Sequence, residues 1–424
     1  MLPPFRKIVL NLDSLLKSES AKTHFEGTQR TVSPETTWVR MRPFLPSLGI
    51  TRLANVTGLD RVGIPVYMSC RPNSRSLAVS QGKGLSNISA KVSALMESTE
   101  QWHGEFNSCL TRVESYAHLK SGALVCDPDL LPLVERSAFT SSRPIPWAMG
   151  ADLLSGRPIW VPYEMVHVNT TVPFVPGSGC FVSGSNGLAS GNNLLEAILH
   201  GLYELVERDA QALWEVATPD HWSYRRVDCA SIDDPACRWL LAQFEKANIA
   251  VMIWEIGSDV GLPVFVCIIS DRESDSLFRP LPAASGSGCH SDRAVALSRA
   301  LTEAAQSRLT SIAGSRDDLY RSEYGTAQSE GAIQFFRKLA NDAPASVDFI
   351  SAPTFKSPTL AEDLVHLLDC LKRILIEHVA VIDLSYPGLP VSVTRVIVPG
   401  LEGPTHAKSY CPGPRVRSRA SWKQ

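Results

Sequence analysis

One amphipathic helix with an acidic stripe constrains this chain more than any other part of its sequence. At about 100° per residue, Asn192, Glu196, Glu204 and Glu207 share roughly a third of the helix circumference. The opposite side is apolar and predicts a face packed in a core: Ile198, Leu199, Leu202, Leu205 and Val206. Like charges stacked in this way repel one another in water. Such a stripe is stable only if cations lie on it, and Mg²⁺ is the natural candidate because it binds carboxylate and phosphate oxygens.

A second segment, residues 82–105, repeats this design. A Gly-containing loop precedes a predicted helix on which Ser93, Glu97, Glu100 and Gln101 fall within about 100° of arc. A single pair of glutamates three positions apart is usually a solvated helix face. Two helices with the same pattern favour the alternative, in which their carboxylates face each other and hold a metal-nucleotide complex.

A third segment, residues 286–318, also begins with glycines and continues as a predicted helix. Arg299, Glu303 and Gln306 share one face of this helix. Arg308 lies about 140° away from Glu303, on a more apolar side. A guanidinium at this position either binds phosphate through two parallel hydrogen bonds or forms a structural ion pair, and the sequence leaves both alternatives open.

The composition excludes several classes of function. The net charge of -2 and the pI of about 6.6 indicate neither bulk nucleic-acid binding nor an anionic membrane surface. The 10 cysteines are scattered without a C-x-x-C pair, which is typical of reduced thiols in a cytoplasmic protein. No apolar run is long enough to span a membrane. The phosphate-binding sequence of the P-loop type is also absent from the chain.

Strand-like and helix-like segments alternate throughout the chain. The predicted strands include residues 250–256 and 263–269, followed by a late pair at 379–384 and 391–398. This alternation predicts an α+β fold with mixed sheets and helices rather than a string of small modules.

No low-complexity linker divides the chain into separate domains. We therefore expect an N-terminal extension at residues 1–45 and a single large domain at residues 46–405. Residues 406–424 are basic, and we expect them to form a flexible tail because most such tails are disordered.

Together, the three segments resemble the YcaO family. The family pattern contains a Gly-Lys-Gly loop before a Ser-Ala-Leu-x-Glu-x-x-Glu-Arg helix. It continues with an Asn-x-x-x-Glu-Ala helix that extends to Glu-x-x-Glu-Arg, and with a Leu-Thr-Glu-Ala-x-Gln-Ser-Arg helix. This chain has the corresponding residues at 82–84, 93–100, 192–208 and 301–308, and the match spans roughly residues 50 to 400.

The resemblance implies an ATP site with Mg²⁺ between these helices. Five glutamates would bind Mg²⁺ or support its ligands: Glu97, Glu100, Glu196, Glu204 and Glu207. A second set would contact the nucleotide or its phosphates: Lys83, Ser93, Asn192, Arg208 and Arg308. Gln101 stands where the family usually has arginine, so one positive charge beside the site is missing.

The resemblance further implies an enzyme that phosphorylates the oxygen of a peptide backbone amide during post-translational modification of ribosomally synthesised peptides. External sulfide and a TfuA-like partner would give a thioamide, whereas a Cys, Ser or Thr side chain and a ThiF-like partner would give an azoline. Azoline-forming relatives commonly end in Pro-x-Pro-x-Pro, and this chain has only Pro412-Gly-Pro414, which favours the thioamide. The third alternative is a non-catalytic accessory factor for methylthiolation of a ribosomal protein.

These readings also predict the binding partners. We expect a peptide or protein substrate, whose leader is bound by another protein because no ThiF-like domain is fused to this chain. We further expect a homodimer, and neither nucleic acid nor a membrane as a partner.

Overall fold

The computed structural model describes residues 12–18, 20–216, 218, 220–273, 281–316, 318, 321–342, 345–405 and 410–421. Within this part of the chain, helices and strands alternate, as the sequence predicts for an α+β protein. The α-helices are α1 (Leu12–Leu16), α2 (Pro34–Met41), α3 (Asn87–Glu105), α4 (Tyr116–Lys120), α5 (Leu194–Glu215), α6 (Pro235–Lys246), α7 (Arg293–Ala313), α8 (Arg321–Ala327), α9 (Glu330–Asp342), α10 (Leu360–Arg373) and α11 (Pro414–Ser421). The strands are β1 (Arg52–Asn55), β2 (Val66–Cys70), β3 (Val79–Lys83), β4 (Thr111–Ser115), β5 (Pro144–Asp152), β6 (Pro158–Pro162), β7 (Leu188–Gly191), β8 (Val227–Asp228), β9 (Ile249–Glu255), β10 (Val264–Asp271), β11 (Ala284–Cys289), β12 (Val347–Asp348), β13 (Ala380–Asp383) and β14 (Ser392–Ile397).

The strands pair in antiparallel sheets, apart from the short parallel pair β12–β8. The largest of the described sheets has the order β4-β5-β13-β14-β7, and β6 pairs with β5. Two smaller sheets have the orders β1-β2-β3 and β11-β10-β9. The predicted late strand pair is β13 and β14, with Ala380 opposite Ile397.

Three strand–helix units of similar construction carry the acidic helices. β3 leads into α3, β7 into α5 and β11 into α7. In each unit a strand glycine touches the backbone of the following helix: an added Cβ would lie 1.9 Å from a helix nitrogen at Gly82, 2.5 Å at Gly191 and 2.3 Å at Gly286. No side chain fits in these places, so glycine is required for the close approach. The segments predicted to be Gly-rich loops are therefore largely strand ends.

Polar side chains start these three helices. Ser86, Asn193 and Asp292 are the N-caps of α3, α5 and α7, and each accepts a hydrogen bond from a backbone N–H of the first turn. This satisfies a donor that has no partner within the helix. α7 ends at Gly314, which adopts the left-handed conformation with φ of 57°.

The apolar side of α5 lies at the centre of the core. Ile198, Leu202 and Val206 are buried in one cluster with Leu364 of α10 and Met252 of β9. Burial of each such side chain stabilises the fold by roughly 1.5–3 kcal/mol. The apolar side of α7 packs in the same way against α6 and β10. With these faces fixed in the core, the polar faces of both helices point to a common region.

The C-terminal tail differs from the sequence expectation. Instead of being flexible, its described residues form α11, which docks on α5. Arg415 donates two hydrogen bonds of 2.8 and 3.0 Å to the fully buried Asp209, and Val416 is 2% exposed beside Ala212 and Leu213. A buried carboxylate needs a cation, which explains why this end of the chain is fixed.

Candidate functional site

Five carboxylates from three helices form one acidic cluster. They are Glu97 and Glu100 of α3, Glu204 and Glu207 of α5, and Glu303 of α7. The charges of these residues act on one another. Burial raises the pKa of Glu100, and the negative charges of Glu97 and Glu204 raise it further. The negative charge of Glu207 likewise raises the pKa of Glu204. The structure thus brings together four of the five predicted metal ligands and adds Glu303.

The α3 carboxylates are fixed by β3 and β7. The backbone N–H of Gln81 donates to Glu97 Oε2 at 3.2 Å, while the N–H and hydroxyl of Ser190 donate to Glu100 Oε1 at 2.8 and 2.7 Å. Burial raises the pKa of Glu97 to about 7 despite the opposing charge of Lys83, and burial raises the pKa of Glu100 to about 8. Both carboxyls are therefore held in a place where negative charge is costly without a cation.

The α5 carboxylates are fixed by a turn and by β11. Gly187 N–H donates to Glu204 Oε2 at 3.2 Å, and burial raises the pKa of Glu204. Glu207 accepts hydrogen bonds from the hydroxyl of Ser287 at 2.6 Å and from the N–H of Cys289 at 3.0 Å. Glu207 therefore has both oxygens occupied and ties α5 to the strand before α7.

Lys83 and Arg208 supply positive charge to the cluster. Lys83 forms an ion pair with Glu303. Arg208 Nη1 donates to Gln211 at 3.1 Å and to Ser287 at 3.2 Å, and lies 3.5 Å from Glu207 Oε1. Burial alone would raise the pKa of Glu303, but Lys83 and Arg208 outweigh it and lower that pKa.

The predicted residues Asn192 and Glu196 lie at the amino-terminal end of α5 and bind the N-terminal extension. Thr31 donates to Glu196 Oε1 through its N–H and hydroxyl, both at 2.6 Å, and Asn192 donates to Oε2 at 2.8 and 2.9 Å. Burial acts to raise the pKa of Glu196, but Arg30 and these hydrogen bonds lower it. Asn192 also accepts from Thr37 at 2.7 Å. With both oxygens engaged, Glu196 fits the role of a support for the site.

Two further predicted residues have different surroundings. Ser93 lies half-buried on α3, one turn before Glu97. Arg308 is 2% exposed and donates to Asp60 at 2.8 Å and to Asp271 at 3.2 and 3.3 Å. These contacts favour the structural ion pair over the phosphate contact.

A cavity of about 610 Å³ adjoins the acidic cluster. Gln101, Glu204 and Arg208 line its inner side. The other walls come from three segments with polar and apolar side chains: residues 165–170, 182–186 and 395–404. A molecule in this cavity therefore lies next to Glu204 and Arg208 of the cluster.

The donor set fits Mg²⁺ together with phosphate oxygens. Within the described part of the chain, the second oxygens of Glu97, Glu100 and Glu204 accept no hydrogen bond and can serve as ligands. No three His, Cys, Asp or Glu side chains of the described residues are arranged to hold a metal ion by themselves. This agrees with Mg²⁺ chemistry, in which one or two carboxylates are supplemented by substrate phosphates and water.

Comparison with known proteins identifies the family and the fold. The model of the YcaO cyclodehydratase family, described as ATP- and Mg²⁺-binding, matches residues 81–402. The chain belongs to the YcaO family. Its predicted cofactors, ATP and Mg²⁺, are therefore confirmed as those of its family.

YcaO relatives of similar length occur in bacteria and archaea. A protein of Rhizobium leguminosarum bv. trifolii, described by its position in the tfuA 3' region, is 38% identical over 379 residues, which cover 88% of each chain. An uncharacterised protein of Methanothermobacter thermautotrophicus is 33% identical over 377 residues, 88% of this chain and 94% of the relative. A relative in Mycobacterium tuberculosis is 38% identical, with 70% of this chain and 65% of that protein covered.

Solved structures share the fold. YcaO from Methanopyrus kandleri, bound with AMPPCP and Mg²⁺, matches with a TM-score of 0.72 at 21% identity, over 93% of this chain and 99% of that one. A heterocyclase in complex with substrate and cofactor matches with a TM-score of 0.73 at 22% identity, over 91% of this chain. This chain spans about half, 54%, of that heterocyclase. The predicted α+β fold with a single large domain is thus confirmed.

Sequence reasoning missed two parts of the site. Glu303 was placed on a shared face with Arg299 but not assigned to the cluster, although its helix follows the third glycine segment as the other two acidic helices follow theirs. The segment around Arg30 and Thr31 carries no periodic signal, and only the fold shows that it contacts Glu196.

None of the described helices is long and apolar enough to cross a membrane.

Proposed function

We propose that this YcaO protein uses ATP to phosphorylate the oxygen of a peptide backbone amide and, with a TfuA-like partner, converts that amide to a thioamide. The observation that carries the proposal is the convergence of five buried or half-buried carboxylates, Lys83 and Arg208 beside the 610 Å³ cavity. A site for phosphate and metal thus adjoins a space large enough for part of a peptide.

The proposed reaction balances without a further reagent. Hydrosulfide adds to the amide carbon, and the resulting oxyanion accepts the γ-phosphoryl group of ATP with release of ADP. The carbon–oxygen bond then breaks, inorganic phosphate leaves with the former amide oxygen, and the C=S bond forms. The proton of hydrosulfide leaves with the phosphate.

The residues of this chain act by position and charge. Arg208, fixed by Gln211 and Ser287, would neutralise phosphate charge, as would Lys83 once it is released from Glu303. Glu97, Glu100 and Glu204 would hold Mg²⁺, which supplies charge neutralisation at the phosphates.

One finding supports the choice of thioamide over azoline. The relative of 38% identity is described by its position in the tfuA 3' region. The alternative hypothesis, azoline formation, is supported by the fold shared with the heterocyclase and, at a TM-score of 0.57, with the E. coli microcin synthetase McbBCD complex.

Mass spectrometry separates these products. The purified protein is incubated with a TfuA-like partner, ATP, Mg²⁺, sulfide and the peptide encoded nearest to its gene. A thioamide adds about 16 mass units because sulfur replaces oxygen, whereas an azoline removes about 18 because water is lost. Loss of 18 without added sulfide would contradict the thioamide proposal.

The accessory-factor alternative makes a different prediction. Such a protein would bind nucleotide without modifying peptide, so its ATP turnover would not rise when peptide and partner are added. Peptide-stimulated turnover therefore distinguishes an enzyme from an accessory factor. The proposed homodimer is measured in the same samples by light scattering.

A further inference from the structure

Two polar side chains in the cavity wall each carry a buried atom without a hydrogen-bond partner. Within the described part of the chain, these atoms are Nε2 of His167 and Oδ1 of Asn186, and both residues line the 610 Å³ cavity. A buried polar atom without a partner costs free energy, and most buried polar atoms in folded proteins are paired. A molecule in the cavity that forms hydrogen bonds with both atoms would remove this cost.

The protonation of His167 follows from its surroundings. Burial, together with the charge of Arg395, lowers its pKa to about 4, so the ring carries no charge at neutral pH. Its Nδ1 accepts a hydrogen bond of 3.2 Å from the backbone N–H of Asn169. A neutral imidazole has a single N–H, and since Nδ1 is the acceptor, the hydrogen is on Nε2. His167 therefore provides a donor, whereas Oδ1 of Asn186 provides an acceptor.

Arg395 fixes both residues in the cavity wall. It is 1% exposed and donates to the carbonyl oxygen of Val166 at 3.1 and 3.2 Å and to that of Asn186 at 2.7 Å. One guanidinium thus binds Asn186 itself and the residue before His167. The ring of His167 also packs against the ring of Tyr163, with centroids 5.0 Å apart. The donor and the acceptor therefore belong to one connected part of the wall.

This part of the wall adjoins the acidic cluster. The residue after His167 donates its backbone N–H to the carbonyl oxygen of Gly104 at 3.2 Å, and Gly104 lies one turn beyond Glu100 on α3. The residue after Asn186 donates its backbone N–H to Glu204 at 3.2 Å. A molecule held by this donor and acceptor would lie beside carboxylates that we propose as Mg²⁺ ligands.

A donor together with an acceptor matches the backbone of a peptide, because each peptide unit has one C=O and one N–H. We propose that Nε2 of His167 donates to a backbone carbonyl oxygen of the substrate peptide and that Oδ1 of Asn186 accepts a backbone N–H of the same peptide. The inference rests on the proposed function and deepens it. It assigns two peptide-binding residues, and it defines the substrate class as a peptide recognised at this point through its backbone rather than through a particular side chain.

Two substitutions of His167 separate the roles of its two nitrogens. H167N keeps an acceptor oxygen near the position of Nδ1 and removes the donor at Nε2. H167Q keeps an N–H near the position of Nε2 and loses the acceptor for Asn169. The assay measures ATP turnover as a function of the concentration of the peptide encoded nearest to the gene, with a TfuA-like partner, Mg²⁺ and sulfide present.

The two variants should differ in opposite ways. H167N should raise the peptide KM about tenfold and keep kcat within about twofold of the wild type, because one hydrogen bond to the substrate is lost. H167Q should keep a peptide KM close to that of the wild type but melt at a lower temperature, since the N–H of Asn169 loses its partner. N186A should raise the peptide KM by about three- to tenfold. Calorimetry should show unchanged affinity for AMPPCP with Mg²⁺ in all three variants.

Thr394 provides a matched control. Within the described residues its Oγ1 is likewise buried without a partner, and Thr394 is the neighbour of Arg395 in the chain, but it does not line the cavity. T394V should therefore leave the peptide KM unchanged. Melting temperatures of all variants separate a loss of peptide binding from a loss of folding.

Each contrary result overturns the inference. A wild-type peptide KM in both H167N and N186A would show that neither atom contacts the peptide, and the proposed function would still stand. Equal increases of KM in H167N and H167Q would show that the shape of the ring matters and the donor does not. If peptide does not stimulate ATP turnover by the wild-type protein, the proposed function fails, and this inference fails with it.

Discussion

Glu100 combines a structural and a chemical role in one side chain. Both hydrogen bonds from Ser190 go to the same oxygen, Oε1, and the charges of Glu97 and Glu204 act on the carboxyl. In Glu100→Gln the amide oxygen can keep both bonds, but a ligand oxygen is replaced by NH₂. We expect the fold to be retained and Mg²⁺-dependent ATP turnover to fall by at least about 100-fold. Turnover assays against the half-buried Glu114→Gln on β4 check this, and near-normal activity of the Glu100 variant would remove Glu100 from the metal ligands.

Arg208 depends on the shape of its guanidinium as well as on its charge. It contacts Gln211, Ser287 and Glu207 at 3.1, 3.2 and 3.5 Å. Lysine keeps the charge but cannot reproduce the planar fork. Arg208→Lys should therefore weaken nucleotide binding or turnover about tenfold. If Lys is tolerated and Ala is not, Arg208 acts as a diffuse charge, and if both are tolerated, it is a structural residue.

Arg308 differs from Arg208 because its contacts favour a structural role. It is 2% exposed and bridges Asp60 and Asp271. Arg308→Met would leave Asp60 without its cation and Asp271 with Arg61 alone, and loss of one partner of a buried pair typically costs about 3–5 kcal/mol. We expect a clear loss of stability in urea unfolding with unchanged affinity for AMPPCP and Mg²⁺ in the folded protein. Weakened binding at full stability would restore the phosphate role.

The sequence predicts side chains on one helix better than it predicts where helices meet. Helical spacing correctly groups Glu97 with Glu100 and Glu204 with Glu207. It also groups Glu196 with these residues, but the N-terminal extension binds Glu196 through Thr31. Such contacts join residues more than 160 positions apart, and no local pattern encodes them.

At the level of elements, three glycines show why the prediction of Gly-rich loops before the acidic helices was incomplete. Gly82, Gly191 and Gly286 look like turn signals, but they lie in strands because the next helix packs onto them. Short apolar runs did predict β9, β10, β13 and β14, each within a few residues of its observed bounds. Local periodicity therefore defines the elements, whereas their close packing depends on tertiary contacts.

The docking of α11 changes the expected effect of removing the tail. Arg415 pairs with the buried Asp209, next to Arg208, and Glu402 accepts hydrogen bonds from Gly413 and Val416 at 2.8 and 2.9 Å. Deletion of residues 410–424 should therefore destabilise the protein by about 3 kcal/mol, since Asp209 loses its cation. Chemical denaturation measures this loss.

A pair of point variants identifies the cause. Arg415→Ala should reproduce most of the destabilisation, and adding Asp209→Asn should recover part of it, because a neutral amide does not require a cation. Asp259, the exposed second partner of Arg415, supplies the control: Asp259→Asn should change stability by less than about 1 kcal/mol. Equal effects of the Asp209 and Asp259 variants would contradict this explanation.

At the scale of the whole molecule, two sets of buried groups titrate with opposite consequences. Burial raises the pKa of Glu97 to about 7 and of Glu100 to about 8, so the folded protein without metal holds protons that the unfolded chain releases. Burial lowers the pKa of His103 and of His167 to about 4, so the folded protein excludes protons that the unfolded chain binds. In mild acid the contributions of the two sets to the free energy of unfolding change in opposite directions and partly cancel. The pH dependence of the total stability therefore reveals neither contribution by itself.

A variant of His103 isolates one of these contributions. His103 is 1% exposed, and its Nδ1 lies 2.7 Å from the carbonyl oxygen of Thr99. Burial, together with the charge of Arg71, lowers its pKa from 6.5 to about 4, against the hydrogen bond to Thr99. The stability that depends on neutral His103 is fully present above pH 6.5 and is lost as the pH falls through 4.

His103→Phe cannot take up this proton. The variant lacks the hydrogen bond to Thr99 at every pH, which changes its free energy of unfolding by a constant amount. It does not show the loss of stability in acid that protonation of His103 causes. Relative to the wild type, its free energy of unfolding should therefore rise by about 1 kcal/mol per unit between pH 6 and pH 5. Urea unfolding at about pH 7.5, 6 and 5, which covers the range in which the unfolded histidine titrates, measures the difference in free energy of unfolding between the variant and the wild type. A difference that stays constant with pH would mean that His103 takes up its proton as readily in the folded protein as in the unfolded chain, so burial would not dominate its titration.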